Sequence, residues 1–238
     1  MQQSHPTNVH NQHPKKNIMS FSLQKSLLTV CLLLTLFACS KEEDENSPAQ
    51  KLERHFPLTV GNTWIYENFR VDTLGNEKRL KFIDTVTISD EIILNGKTHF
   101  VFTGNHYPYH PSKGVLRVVK DSSGYIVDTS GRIIFSSIDF SDSLRLFIDS
   151  IGYGGNLHTD VYRMMKAPSP VSVPAGVFND VLIYHGLHYT ERPYPGVPNP
   201  KSFDSFYARG VGLVKNTEIM GSQSENYERR LIAYFIIE

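Results

Sequence analysis

From Thr63 to the end of the chain, turn-forming residues interrupt the sequence at short, even intervals, and the stretches between them are rich in β-branched and aromatic residues. Strands of that length at spacings of roughly 8–12 residues imply a sandwich, a barrel or a strongly curved sheet. The clearest local signal is "EIILNGKTHFVF", where Asn95-Gly96 separates two apolar runs. Both residues tolerate the positive φ of a type I′ turn, whose twist matches the strands it joins, so a hairpin of Glu91–Leu94 with Lys97–Phe102 is expected. Leu74-Gly75-Asn76, "DSSG" (Asp121 to Gly124), "DTSG" (Asp128 to Gly131) and Pro174-Ala175-Gly176 mark further turns. "TWIYENFRV" (Thr63 to Val71), "KFIDTVTI" (Lys81 to Ile88), "VLRVVK", "RIIFSS", "LRLFIDS", "VYRMMK" and "RRLIAYFII" read as strands.

No 15-residue window carries a 3.6-residue period; a short helix near Ser136–Ser143 is the one exception entertained. Val181, Ile183, His185, Leu187 and Tyr189 alternate with Leu182, Tyr184, Gly186 and His188, the pattern of a strand with two distinct faces. "ERPYPGVPNPKS" (Glu191 to Ser202) has four prolines in twelve residues and cannot sit in mid-sheet, so it projects between two strands.

The start of the chain follows other rules. Leu27 to Ala38, "LLTVCLLLTLFA", is an apolar run of twelve residues, well short of the roughly twenty needed to span a bilayer. Lys15, Lys16 and Lys25 precede it and no acid does. That order fits a secretory signal, with Met19 as the expected true start. Leu36-Phe37-Ala38-Cys39 resembles a bacterial lipobox. The resemblance implies cleavage between Ala38 and Cys39 and transfer of a diacylglyceryl group, whose chains are palmitate-like, to the Cys39 thiol. Two or three chains hold permanently, since each buried CH₂ contributes about 0.8 kcal/mol. "SKEEDENSPAQ" (Ser40 to Gln50) has one lysine, four acids and no apolar residue larger than alanine, too little to fold by itself. It is read as a flexible tether, and it resembles the acidic export tag of some Gram-negative surface lipoproteins. The organisation expected is therefore a signal over 1–38, a lipidated acidic tether over 39–50 and one all-β domain over 51–238. The location expected is the outer membrane, at the cell surface, or otherwise its periplasmic face.

Charge and cysteine content narrow the function classes. Without residues 1–38 the chain loses three lysines, leaving 21 basic against 24 acidic residues, and the tether accounts for the whole difference. A body balanced at 20 and 20 has no excess positive charge to grip phosphates, so nucleic acid is not an expected partner. Cys31 leaves with the signal and Cys39 is lipidated, so the body has no cysteine for disulfides, thiol catalysis or zinc.

Two stretches of the body carry a second resemblance. "VSVPAGVFNDVLIY", then "FYARGVGLVKNTE" and a last strand, look like a family of uncharacterised bacterial secreted lipoproteins, and "FPLTVGNTWIYEN" (Phe56 to Asn68) resembles their opening strand. Arg209 stands where that pattern often has proline. The resemblance implies a single antiparallel, strongly curved sheet or half-barrel, like those of lipoprotein carriers; a β-sandwich is the alternative. It implies no reaction or ligand. Gly210 and Gly212 precede a strand rather than a helix, which argues for a bulge or close backbone approach and against a phosphate loop.

Chemistry-bearing residues are sparse. His185 and His188 are three apart on a strand and point to opposite faces, while His106 and His110 flank Pro108 in an expected loop; no metal site and no cofactor is expected. No G-x-S-x-G elbow occurs. Asp139, Asp142 and Asp149 are the acids that could serve a glycoside hydrolase. Tyr107, Tyr109, Tyr184, Tyr189 and Tyr194 are the candidate binding residues, able to stack on sugars or anchor a partner. The expectation is a membrane-anchored, non-catalytic binding or envelope-scaffold protein. Its ligand would be a small apolar molecule on the concave face, a glycan, or a surface protein. A glycan hydrolase and an accessory subunit of a surface complex are the alternatives.

Overall fold

The computed structural model describes residues 55–149, 158–219 and 223–237; the expected signal, Cys39 and the tether lie outside them. Among the described residues the chain forms β1 (Thr63–Val71), β2 (Glu77–Leu94), β3 (Lys97–His106), β4 (His110–Asp121), β5 (Tyr125–Asp128), β6 (Ile133–Ser136) and β7 (Arg145–Asp149). Then come β8 (His158–Lys166), β9 (Val171–Val173), β10 (Gly176–Phe178), β11 (Val181–Thr190), β12 (Lys201–Ala208), β13 (Gly212–Ile219) and β14 (Asn226–Phe235). Twelve of them make one antiparallel sheet in the order β6-β5-β4-β3-β2-β1-β14-β13-β12-β11-β8-β7.

The hairpin signals are realised where the turn chemistry places them. Asn95 and Gly96 have φ of 52° and 69°, and Leu94 pairs with Lys97 across the turn. Pro174-Ala175 turns β9 into β10. β13 pairs with β14 only as far as Arg230, and the carbonyl of Leu231, past the end of that ladder, accepts the Ala175 N–H at 3.0 Å. The small hairpin is thereby tied to the large sheet. The expected helix at Ser136–Ser143 is not formed; Ser136 ends β6, and bends and irregular chain follow it. Ser136 Oγ accepts the N–H groups of Ile138 and Asp139, and Asp139 Oδ1 accepts that of Ser141. The first two bonds match a helix N-cap, but Asp139 Oδ1 then takes the Ser141 N–H, a donor that a helix begun at Ser136 would use.

The sheet is curled until it is nearly closed, like a barrel. β6 and β11 stand nine positions apart in the strand order, roughly 43 Å in a flat sheet at about 4.8 Å per strand. Yet the Tyr184 hydroxyl on β11 donates to the Ile133 carbonyl on β6 at 3.0 Å, and the rings of Phe135 on β6 and Tyr207 on β12 lie 4.7 Å apart. The interior face carries the core: Trp64, Tyr66, Ile88, Phe102, Val119, Phe135, Met164, Tyr207, Val214 and Leu231 are all buried. Phe56, from the segment that leads into β1, plugs one end of this interior, stacking on Tyr207 at 5.5 Å and meeting Phe102 at 6.0 Å. Gly212, with φ of 92°, lets the β13 backbone approach this plug; a Cβ there would stand 3.2 Å from Pro57.

Candidate functional site

Strand alternation decides which charges the barrel encloses. Arg117 precedes the buried Val119 by two residues and Arg229 precedes Leu231 by two, so each shares the inward phase of its strand. His106 ends β3 on the phase of Phe102, and Glu218, next to last in β13, shares the phase of Val214 and Asn216. Curling brings these four groups toward one another inside the sheet.

Beside them is a cavity of about 40 Å³ lined by Trp64, Tyr66, Phe102, His106, Arg117 and Arg229, with Phe56 and Tyr207 toward the plugged end. One water needs about 10–15 Å³ on this measure, so the space takes roughly three waters. The polar groups of its aromatic walls are already engaged: Trp64 Nε1 donates to the Val211 carbonyl at 2.7 Å and the Tyr66 hydroxyl to the Leu213 carbonyl at 2.9 Å. Burial pushes the Tyr66 and Tyr207 phenols above their ordinary range, so both are neutral.

The cationic groups are less completely satisfied. Arg229, 2% exposed, sits over the Tyr66 ring at 5.0 Å and donates from Nη2 to Asn216 Oδ1 at 3.2 Å, but its Nε is buried without a partner. Arg117 makes no hydrogen bond or ion pair among the described residues. His106 Nε2 lies 3.3 Å from Glu218 Oε1, outside hydrogen-bond geometry. Burial, Arg229 and Arg117 lower the His106 pKa against the pull of Glu218, so the imidazole is neutral near pH 7. Burial works against the Glu218 charge, but His106, Arg229 and Arg117 outweigh it and hold the carboxyl below its usual range. Glu218 does not line the cavity; every ionisable group that does, apart from phenols, is basic.

The turn between β3 and β4 lies over this end of the interior. Asp84, fully buried, accepts from Asn105 Nδ2 at 3.0 Å and from the Tyr107 N–H at 3.1 and 3.2 Å, fixing the turn. The Tyr109 hydroxyl reaches across to the Ile219 carbonyl at the end of β13, 2.9 Å away, and Tyr107 stacks on Phe82 at 4.0 Å.

The five candidate tyrosines are not brought together. Tyr107 and Tyr109 belong to this turn; Tyr184 is buried in the interior; Tyr189 is 40% exposed on β11; Tyr194 lies in the proline-rich segment between β11 and β12. His185 and His188 point to opposite faces, as their spacing requires, each on its own aspartate: Asp204 and Asp160, both at 2.6 Å. His188 Nε2 is buried without a partner, so this pair activates no hydroxyl. His106 pairs in register with His110, which is exposed. Asp139 accepts from Ser141 N–H and the Tyr125 hydroxyl and is held below the usual carboxylate range by Ser141, which suits a turn anchor rather than a general acid. Asp142 is exposed. Outside the barrel, Thr85, Thr87, Thr103, Lys113 and Val115 line an open depression of about 400 Å³, without converging unpartnered groups. Arg117, Arg229 and Glu218 were missed from the sequence; the signal available was a charge two or four residues from a buried apolar residue on the same strand.

No family model matches the chain, and no curated protein matches it. Two solved structures were found similar in fold. One is a protein of Bacteroides fragilis predicted to be exported, with a YmcC-like fold, at 13% identity and a TM-score of 0.41, covering 76% of this chain and 98% of its own. The other is a predicted lipoprotein of Parabacteroides distasonis at 12% identity and a TM-score of 0.39, covering 76% and 97%. With TM-scores below one half, neither likeness bears on the chemistry of the site.

Proposed function

We propose that the chain is a lipid-anchored, non-catalytic binding protein of the bacterial outer membrane, exposed at the cell surface, which holds a small ligand inside its nearly closed sheet. One observation carries the reading: a cavity walled by aromatic side chains is also lined by Arg229 and His106, whose Nε and Nε2 are buried without partners, and by Arg117, which makes no hydrogen bond or ion pair among the described residues. An apolar pocket with a few convergent polar groups is the usual form of a small-molecule site, and a buried donor without an acceptor costs about 1–3 kcal/mol. A ligand acceptor would recover that cost. The anchor rests on Leu36–Cys39, and the surface location on the acidic tether that follows.

Two measurements on the full chain test this. Cys39→Ser should move the protein from the membrane fraction to the soluble one; equal retention on membranes removes the anchor. Thermal unfolding against a panel of soluble metabolites should reveal at least one that raises Tm with concentration, as binding to the folded state alone requires. A panel without any shift, together with release of sugars from a glycan substrate, would replace binding by hydrolysis.

A further inference from the structure

The composition of the cavity wall goes further and specifies a ligand class, on the reading that the cavity is the binding site. We infer that it takes a small organic monocarboxylate, the head between Arg117 and Arg229 and the short carbon body against Trp64 and Phe102.

Three features of the wall lead there. The sign of the head follows from the charges: Arg117 and Arg229 line the space, and no carboxylate does. Arg229 is 2% exposed and its Nε is unpartnered. The planar guanidinium matches a carboxylate better than any other small anion, through paired, charge-assisted bonds. The body follows from the aromatic walls, whose indole and phenol hydrogens are spent on the backbone carbonyls of Val211 and Leu213. They offer only apolar surface to a guest. The size follows from the volume: about 40 Å³, room for roughly three waters, admits a carboxylate with a few carbons while Phe56 keeps its place.

Trp64 is the only tryptophan in the chain and it lines the cavity, so its fluorescence reports occupancy directly. The full chain, held in lipid nanodiscs, is titrated with butyrate, butyramide and butylammonium, three probes of one body and three heads. Butyrate should give a saturable change in Trp64 emission, butyramide should bind about tenfold more weakly or less, and butylammonium should not bind. Arg117→Gln should lower the butyrate affinity about tenfold, equivalent to about 1.4 kcal/mol, and lower the butyramide affinity by distinctly less, since only the charge-assisted part of the contact distinguishes the two heads. Among the described residues Arg117 has no hydrogen bond or ion pair to lose, and an unchanged melting curve checks that this variant still folds. Equal binding of butyrate and butyramide overturns the carboxylate assignment but leaves the cavity as a binding site. No saturable response to any of the three overturns the binding reading as well.

Discussion

Arg229 shows how a buried cation is accommodated without a carboxylate. Its guanidinium lies over the Tyr66 ring at 5.0 Å and bonds Asn216 at 3.2 Å, which offsets part of a desolvation cost of several kcal/mol. Apolar replacements of buried charges are often neutral or stabilising. Arg229→Met is therefore expected to change stability by no more than about 1 kcal/mol in urea unfolding while removing anion binding; a large destabilisation would mean that the arginine serves the fold. His106 gives a pH dependence. Its folded pKa is lowered from 6.5 by burial, with Arg229 and Arg117 acting the same way and Glu218 opposing. The unfolded chain thus takes up a proton at a pH where the folded chain does not, and stability falls as pH drops through 6.5. Glu218 adds to the fall at lower pH: its folded pKa lies below 4.5, so its contribution is present above that value and lost as pH falls through the folded pKa. His106→Gln should flatten the curve where it first falls, as pH drops through 6.5, and leave the later fall due to Glu218; an unchanged slope in the first part would contradict the assignment.

Among the elements, those with strong local chemistry were legible. Asn95-Gly96 specified its hairpin because only residues tolerant of positive φ form a type I′ turn, and Gly96→Ala should cost about 1–2 kcal/mol by denaturant unfolding. Thr63–Val71 was read to the residue, because the stretch is rich in β-branched and aromatic side chains and ends at the turn around Gly75. The stretch 136–143 misled because Ser136 and Asp139 bond the backbone locally, a choice that composition does not reveal. Phe56 was read as part of an opening strand, whereas it is the plug that fills one end of the interior. Phe56→Ala should destabilise by about 3–5 kcal/mol and enlarge the cavity. Longer carboxylates such as octanoate should then bind better relative to butyrate, and an unaltered preference would show that Phe56 does not limit the site.

At the scale of the whole molecule, a curved sheet was expected, but not which side chains its closure would unite. Arg117, Arg229, His106 and Glu218 belong to four strands, and only curling places the first three around one space with Glu218 against His106. No local pattern encodes that convergence; the trace left in the sequence is a charge in phase with Val119 on β4 and another in phase with Leu231 on β14. The same closure turns the sole tryptophan into a probe of the interior field. Because the body is balanced at 20 basic and 20 acidic residues, no net charge biases small ions toward or away from it, and any preference reports the local environment. Collisional quenching of Trp64 by iodide and by caesium, at equal ionic strength, measures that preference. Iodide should quench several-fold more efficiently than caesium, and Arg117→Gln should narrow the gap. Equal quenching by the two ions, or stronger quenching by caesium, would contradict a barrel whose interior gathers anions.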